Sequence, residues 1–550
     1  MKTRHVPADD APQMAAPTQL MDCHGARLPM AAWTYQDEVL PLRRPLLTHS
    51  QHRYLPKKSD VPQFSYLSSS TSSYAMPGTT NVSKEILLRI LYHAVTDTSP
   101  PAAFPPTTRN SIGLVCKYWR RTLINAPSLW QFITLCPTND QHRERRLAVA
   151  YTWLRRGHGA PLYLDLCSGM PEHLPPRIED LLYGGGAFSL LEKIIQPFAF
   201  RIVSLSCILC KEDVGAFLAL PQGTFPVLER VNIFFVNAIP DLRSQFTMEE
   251  RTSFTVFVDA QRLTSARLHL FNDLHPLELR LPWAQMMSLD FGSVAMSEEI
   301  CVGVLQRAAG SLVEGCFSMV FEGRGDPHFP HAPIPMDVSM RRLRRLRLFL
   351  GGEVADAEFF QFVGIPMMKN LRVEKSGGFT GEDLNAILPV IASASASLEQ
   401  LTLLDIDMPT NTHPHRPLFY SEITSILLAT PQLVYLHLPR SIFLDGDLLE
   451  DIAFGRVLPS LRALDLAAAG VENGNRLVEM VIRRNAQADV QATPGSSSSS
   501  VPEATPRVMP ISFLRLEVAL VDRGILQEWV EGLRSSGWLR DITVDVSTED

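Results

Sequence analysis

The chain has 550 residues, of which 45% are hydrophobic and 20% are charged, and its formal net charge is −7. This composition can bury a core, so the chain is not a disordered polyelectrolyte, and the mild acidic excess gives no overall attraction to nucleic acid or to an anionic membrane. The eight cysteines are too few for a disulfide scaffold.

Residues 1–80 are predicted to form a disordered leader without a core. Prolines interrupt every potential helix, and residues 65–80 are rich in serine, threonine and tyrosine. The first residues lack the apolar segment of a secretory signal, and no run of about 18 apolar residues occurs anywhere in the chain. We therefore expect a soluble protein of the cytoplasm or nucleus that has no membrane partner.

Residues 82–135 are predicted to form a small domain of three short helices. The first two helices carry apolar residues at helical spacing, namely Ile86, Leu87, Ile90 and Leu91, then Leu114, Val115, Trp119 and Leu123. The third segment contains Pro127 and Trp130. Three helices in about 50 residues form a core that is marginal in isolation, so we expect a neighbour to complete this domain.

Residues 140–550 contain a repeated pattern that predicts a long array of strands. The pattern is an apolar residue, two residues of any type, a second apolar residue, one residue of any type, and a third apolar residue. It starts at Leu228, Met286, Leu343, Met368, Leu398, Leu433, Leu461, Phe513 and Leu539, with weaker copies at Ile202, Ser265 and Leu312. The interval from Leu461 to Phe513 is the longest, so it leaves room for a missed repeat.

Helices are predicted between these strands, at residues 297–310, 380–394, 421–428, 445–457 and 474–488. Ser421 is a suitable N-cap, and Ile525, Trp529 and Leu533 share one face of a further helix. Neither a strand nor a helix of this kind can bury its apolar side alone. Stacked units therefore predict an α/β solenoid, with a parallel sheet on the concave side and helices on the convex side. Residues 492–506 are predicted to be a low-complexity surface loop.

The array resembles a leucine-rich-repeat solenoid of the longer, helix-bearing kind, because most of its repeats are at or just above the long end of the roughly 20–29 residues of that family. It departs from the family three residues after the last apolar strand position, where asparagine or cysteine is usual. This chain has Val236, Gly351, Ile406, Ser441 and Ala469 there. We therefore expect irregular repeats.

Residues 82–135 resemble an F-box, in the F-box-like form that is common ahead of irregular leucine-rich repeats in fungal proteins. The residues that carry the resemblance are Glu85, Ile86, Leu87 and Ile90, then Val115, Cys116, Lys117, Trp119 and Arg120, then Pro127, Leu129, Trp130 and Ile133. Two features differ from the family. Val82 and Ser83 replace its opening Leu-Pro pair, and the proline-rich spacer at residues 96–108 is longer than in compact members.

These resemblances imply that the chain binds one protein at each end. An F-box binds the small Skp-type adaptor of a cullin–RING ubiquitin ligase, and the C-terminal repeats hold the substrate. The expected adaptor contacts are Ile86, Leu87, Ile90, Leu114, Trp119 and Trp130. The alternative is that these six side chains only form the core of the domain. We thus expect the substrate-recognition subunit of an SCF-type ligase, with a repeat scaffold that has no ligase role as the alternative.

Residues that alternate with the buried strand positions should point into the concavity of the solenoid. The expected substrate-binding residues are Arg267, His269, Arg345, Arg347, Arg372, Tyr435 and His437. Toward the C-terminal end, the same surface is expected to expose the acidic residues Asp465, Glu517, Asp541 and Asp545. The basic middle favours an acidic or phosphorylated target segment, because guanidinium groups form paired hydrogen bonds with such groups. The alternative is a solvated face whose charges serve solubility.

No segment has the spacing of a catalytic or metal site. Cys207 and Cys210 form a single pair, with Cys207 at a predicted buried position, and no second pair follows. His328 and His331 lie in a proline-rich loop without a carboxylate at helical spacing. Residues 184–186 are three glycines without the lysine and hydroxyl residue of a phosphate loop. We therefore expect a non-enzymatic protein with no cofactor and no metal site.

Overall fold

The computed structural model describes residues 82–96, 114–134, 143–166, 191–236, 247, 254–270, 274–321, 338–352, 357–406, 420–439, 442, 444–467, 471–492, 507–518, 520–539 and 542–548. All of these residues belong to one compact unit. The predicted leader, residues 1–80, and residues 493–506 of the predicted surface loop lie outside the described residues.

Twelve α-helices occur in the described residues. They are α1 (Lys84–Thr96), α2 (Lys117–Ile124), α3 (Arg143–Arg156), α4 (Gln196–Phe198), α5 (Lys211–Leu218), α6 (Glu298–Ala308), α7 (Ala357–Gln361), α8 (Gly381–Ser393), α9 (Tyr420–Leu428), α10 (Gly446–Ala453), α11 (Val471–Ala492) and α12 (Leu520–Ser535).

Sixteen strands accompany these helices in the described residues. They are β1 (Phe132–Thr134), β2 (Leu162–Asp165), β3 (Ile202–Cys210), β4 (Arg230–Val236), β5 (Ser265–His269), β6 (Ser288–Met296), β7 (Glu314–Phe321), β8 (Val338–Ser339), β9 (Arg345–Gly352), β10 (Val363–Gly364), β11 (Asn370–Ser376), β12 (Gln400–Ile406), β13 (Tyr435–Leu438), β14 (Ala463–Ala467), β15 (Phe513–Val518) and β16 (Thr543–Thr548).

Fourteen of these strands form one parallel sheet whose spatial order follows the chain. The order runs from β1 through β7, then β9, then β11 through β16, while β8 and β10 pair with each other in a separate two-stranded sheet. Parallel neighbours need a crossover connection, so the chain returns to the same end of the sheet after every strand. The prediction of an α/β fold built on a long parallel sheet is confirmed.

The repeated sequence pattern places its three apolar residues in the core. Leu343 precedes β9, Leu346 and Leu348 lie within it, and all three are buried. The middle residues of five successive patterns are registered neighbours, which are Leu346, Leu371, Leu401, Leu436 and Leu464. The copy placed at Phe513 begins two residues earlier, because the buried side chains there are Ile511, Leu514 and Leu516, and Leu514 is the registered neighbour of Leu464. Because a slip of one residue would turn all of these side chains out of the core, the pattern also determines the register.

Two features of the N-terminal half differ from the sequence-based expectation. β1 and β2 extend the sheet beyond the predicted strands. The weak copy placed at Ser265 begins two residues earlier, because the buried side chains there are Leu263, Ala266 and Leu268. Alanine in the middle position made this copy hard to align from the sequence.

The long interval between Leu461 and Phe513 contains no missed strand in its described residues. β14 pairs directly with β15, with Ala463 opposite Phe513. The 22-residue helix α11 takes up most of the described part of the interval. The extra length is therefore added outside the sheet.

The Arg484 side chain links this long helix by hydrogen bonds to the turn that precedes β14. Its side chain is fully buried and donates hydrogen bonds of 2.5–3.4 Å to five backbone carbonyl groups, those of Ile452, Leu458, Pro459, Leu461 and Met509. Burial lowers the pKa of this guanidinium to about 10, so it remains charged at neutral pH. The adjacent Asn485 accepts from the N–H of Ile511 at 2.8 Å and donates to its carbonyl group at 2.9 Å. Helix α11 therefore holds the chain on both sides of residues 493–506.

The five helices predicted between the strands are present as α6, α8, α9, α10 and α11. Thr380 caps α8 in a reciprocal arrangement, because its hydroxyl accepts from the N–H of Asp383 at 3.1 Å and its own N–H donates to the Asp383 carboxylate at 2.9 Å. Ser421 was expected to cap α9 but lies inside it, since the helix begins at Tyr420.

Candidate protein-interaction surfaces

The helical block, which we define as residues 82–96 and 114–130, contains α1, α2 and the 3-10 segment Pro127–Trp130 and shares its core with the repeats. Leu87, Leu91 and Trp130 are buried in the same hydrophobic cluster as Trp153 of α3. The Trp130 indole donates from Nε1 to the carbonyl group of Leu123 at 2.9 Å, and its ring centre lies 6.1 Å from that of Trp153. The block and the sheet are thus built around one continuous core.

The six predicted adaptor contacts divide by burial. Leu87 and Trp130 are 0% and 2% exposed, so both side chains pack in the core of this chain. Trp119 is half-buried and packs against the same cluster. These three side chains hold the helices in place and present little or no surface to a partner.

The other three predicted contacts are exposed aliphatic side chains. Ile86 and Ile90 are 56% and 46% exposed and share one face of α1, four residues apart, while Leu114 is 75% exposed. Val115 and Tyr118 are exposed nearby in the sequence. We call these five residues the apolar set of the block. Apolar side chains that remain in water contribute little to folding.

The departure from the F-box family at residues 82 and 83 has a structural role. The Ser83 hydroxyl accepts from the N–H of Ile86 at 3.3 Å, which makes it an N-terminal cap for α1. The Tyr118 hydroxyl donates to the carbonyl group of Val82 at 3.4 Å and joins α2 to the start of α1. Both contacts orient the apolar set.

All seven predicted substrate-binding residues lie on the exposed face of the sheet, which is the face opposite the core leucines. One register row crosses this face, and we call its part from β5 to β16 the central row. It consists of Arg267, Asp290, Cys316, Arg347, Arg372, Thr402, His437, Asp465, Arg515 and Asp545. The other three predicted residues are Arg345 and Tyr435, two residues before the row in their strands, and His269, two residues after it. The structure therefore brings them onto one surface.

Carboxylates on the same face pair with each predicted arginine. Arg267 Nε lies 3.0 Å from an Asp290 oxygen, and Arg345 Nη1 lies 2.8 Å from a Glu314 oxygen. Arg347 and Arg372 share one oxygen of Glu374, through Nε atoms at 2.5 and 2.7 Å, and the Glu374 side chain is 2% exposed. The predicted basic middle is therefore largely neutralised by its own sheet.

These carboxylates were not identified from the sequence, although the position of one of them, Asp290, could have been predicted. Asp290 stands between two buried positions of the repeat that starts at Met286, which places it on the exposed face. Glu374 lies one residue beyond the end of its pattern, where the pattern alone does not specify the direction of a side chain. The pairing itself depends on the alignment of neighbouring strands.

The C-terminal part of the exposed face is centred on Asp465. His437 Nδ1 lies 3.0 Å from an Asp465 oxygen, and the Tyr435 hydroxyl donates to that oxygen at 3.4 Å. Arg515, which the sequence reasoning missed, lies 3.9 Å from both Asp465 and Asp545. Asp541, predicted to extend the acidic end, lies outside the described residues.

His269 and Cys316 are two half-buried polar side chains of this surface. The His269 ring stacks on Phe234 with 3.9 Å between ring centres. Burial, with the charge of Arg267 in second place, lowers the pKa of His269 to about 4. Burial also raises the pKa of the Cys316 thiol well above its ordinary value. Both groups are therefore neutral at pH 7.

An aromatic section occupies the N-terminal part of the exposed face. Phe132 and Tyr163 stack with 4.7 Å between ring centres and 18° between ring planes, and the Arg230 guanidinium lies 5.9 Å from the Tyr163 ring centre. The sequence reasoning did not find this section, because β1 and β2 were not predicted.

Cys207 lies at a buried position of β3, as predicted, and is 1% exposed. Among the described residues, no group of three or more His, Cys, Asp and Glu side chains is arranged to hold a metal ion. Within the same ranges, no helix combines the length and apolar character needed to cross a membrane.

Comparison with known proteins gives no assignment. The chain matches no protein-family model, and no curated protein matches its sequence.

Proposed function

We propose that this chain is the substrate-recognition subunit of an SCF-type cullin–RING ubiquitin ligase. Residues 82–135 resemble an F-box and bind the Skp-type adaptor in this proposal. The repeats, which resemble a leucine-rich-repeat solenoid, bind the target through the exposed face. The observation that carries the proposal is the exposure of Ile86, Ile90 and Leu114 on the helical block. Two other apolar side chains of α1, Leu87 and Leu91, are buried in the core.

The physical argument for adaptor binding is the free energy available from these side chains. Burying one exposed aliphatic side chain contributes roughly 1.5–3 kcal/mol. A few well-packed apolar anchors dominate the affinity of most interfaces. The short helices hold the anchors in place because Leu87 and Trp130 are fixed in the core, so little ordering entropy is lost on binding.

The chain itself performs no chemical step in this proposal. It raises the effective concentration of the target near a ubiquitin-charged enzyme, which is a contribution of proximity. Arg345, Arg347 and Arg372 outnumber the two carboxylates that pair with them, Glu314 and Glu374. This excess of one positive charge keeps an acidic or phosphorylated segment as the proposed class of target.

The test is co-purification of the full chain with the Skp-type adaptor of its host after co-expression. The full chain is needed because the helical block shares its core with the repeats. We expect a stoichiometric complex from the wild type, and its loss with Ile86→Asp or Ile90→Asp, since each change buries a carboxylate in the interface.

Leu428→Asp is the matched control, because Leu428 is an exposed aliphatic residue of α9, at 60% exposure, far along the chain from the block. It should leave the complex intact. If the wild-type chain forms no complex, or if the control removes it equally, the ligase proposal is wrong. The absence of a complex would favour the alternative of a repeat scaffold, in which Ser83 serves only to cap α1.

A further inference from the structure

The exposed face carries two sections of opposite charge. The basic section comprises Arg345, Arg347 and Arg372 on β9 and β11, with Glu314 and Glu374 as their partners. The acidic section comprises Asp465, Glu517 and Asp545 on β14, β15 and β16, with Arg515 as its cation. Counting arginine, aspartate and glutamate alone, the first section has one excess positive charge and the second has two excess negative charges.

Both sections keep groups that a ligand can reach. Arg372 contacts Glu374 through Nε, and the side chain is 42% exposed. The Asp545 side chain is 56% exposed, and its distance of 3.9 Å from Arg515 is long for an ion pair. Exposed pairs of this kind contribute only about 0–1 kcal/mol, so a ligand cation can replace Arg515 at little cost.

A stretch without arginine, lysine, aspartate or glutamate on this face separates the two sections, and it contains His437 on β13, which contacts Asp465. The side chains that β12 presents on this face are Gln400, Thr402 and Leu404, and Leu404 is half-buried. On β13 the Tyr435 ring is also half-buried. This stretch offers an aliphatic and an aromatic surface between the charged sections.

The spacing between strands gives the distance between the basic and the acidic section. Five strand intervals separate Arg372 on β11 from Asp545 on β16 along the central row. At about 4.8 Å per interval the distance is about 24 Å, which an extended chain spans in about seven residues.

We propose that the exposed face binds an extended target segment of bipolar sequence. The segment carries an acidic side chain at the basic section, an apolar side chain against the Tyr435 ring, whose hydroxyl reaches Asp465 of the central row, and a basic side chain at the acidic section about seven residues from the acidic one. The inference rests on the proposed function only in taking this face as the target-binding surface, and it narrows the target from acidic segments in general to segments of this order and spacing.

The experiment measures binding of fluorescein-labelled synthetic peptides to the full chain by fluorescence anisotropy. The peptides carry two glutamates and two lysines, and the nearest glutamate and lysine stand four, seven or ten positions apart across glycine and serine residues with a central leucine. A fourth peptide has the same composition with alternating charges. We expect the seven-residue spacing to bind at least fivefold more tightly than the alternating peptide, and more tightly than the other two spacings.

Two variants with matched surroundings locate the binding site. Asp545→Lys should remove the preference for the seven-residue spacing. Glu531→Lys is the control, because Glu531 on α12 has the same 56% exposure and also pairs with an arginine that is 41% exposed. Equal binding of all four peptides, or an equal effect of the two variants, would overturn the inference.

Failure of the inference can be told apart from failure of the proposed function. Asp545→Lys should still co-purify with the adaptor. A spacing preference without adaptor binding would support the inference and reject the ligase role. Adaptor binding without a spacing preference would reject the inference alone.

Discussion

At the scale of single residues, His269 couples folding to pH. Its pKa in the folded chain is about 4, against an ordinary value of 6.5. Because the unfolded chain binds a proton more readily between these values, stability is fully present above about pH 6.5 and declines as the pH falls toward 4. From pH 7 to pH 5, this one group should lower the free energy of unfolding by about 2 kcal/mol.

The measurement is urea unfolding at pH 7 and pH 5 for the wild type and for His269→Phe, which keeps a ring on Phe234. The variant should lose about 2 kcal/mol less than the wild type over this interval. His93→Phe, at an exposed histidine of α1, should retain the wild-type slope. Identical slopes for the wild type and His269→Phe would show that His269 does not carry this pH dependence.

At the scale of secondary-structure elements, carboxylates link neighbouring strands of the exposed face with unequal strength. Glu374 is 2% exposed and forms ion pairs with arginines of both β9 and β11. Glu314, which pairs with Arg345, is 42% exposed. Glu374→Gln removes the charged acceptor that Arg347 and Arg372 share, and both arginines still reach water, so the change should cost about 2 kcal/mol of stability. Glu314→Gln should cost less than about 1 kcal/mol.

Urea unfolding of the two variants at pH 7 compares these costs directly. The substitutions remove the same charge from the same surface, so each serves as the control for the other. Equal losses would mean that burial of Glu374 does not strengthen its ion pairs.

The sequence predicts most strands of the repeats well because each repeat must bury the same three positions. Leu343, Leu346 and Leu348 illustrate this rule, and helices of ordinary length between such strands were also predicted. β2 was missed because its alternating residues Leu162 and Leu164 have no apolar residue three positions before them, where Gly159 stands. A strand without that first position does not resemble the others.

The exposed face was predicted only in part. The sequence indicates which side chains lie on it, but their contacts depend on which residues of neighbouring strands lie side by side. The sequence places Arg347 on this face, but not beside Glu374 on the next strand. That contact requires the register of two strands that are separated by β10 and its loops. Burial of Trp130 was likewise open, because Trp153 in α3 lies beyond the predicted end of the block.

At the scale of the whole molecule, the helical block depends on the repeats. Leu87 and Trp130 lie in one hydrophobic cluster with Trp153 and the first strands. A fragment of residues 75–140 loses those neighbours, and a core of this size is marginal alone. We expect this fragment to show no cooperative thermal transition by circular dichroism, whereas the full chain should melt cooperatively. A sharp transition in the fragment would contradict a shared core.

The anchoring of α11 by Arg484 and Asn485 has a practical consequence. Met509 and Ile511 are held to the helix directly before β15, so the intervening residues 493–506 connect two fixed ends. The entropy of closing such a connection rises only slowly with its length. This position can therefore accept an inserted epitope or fluorescent reporter without moving β15 along β14.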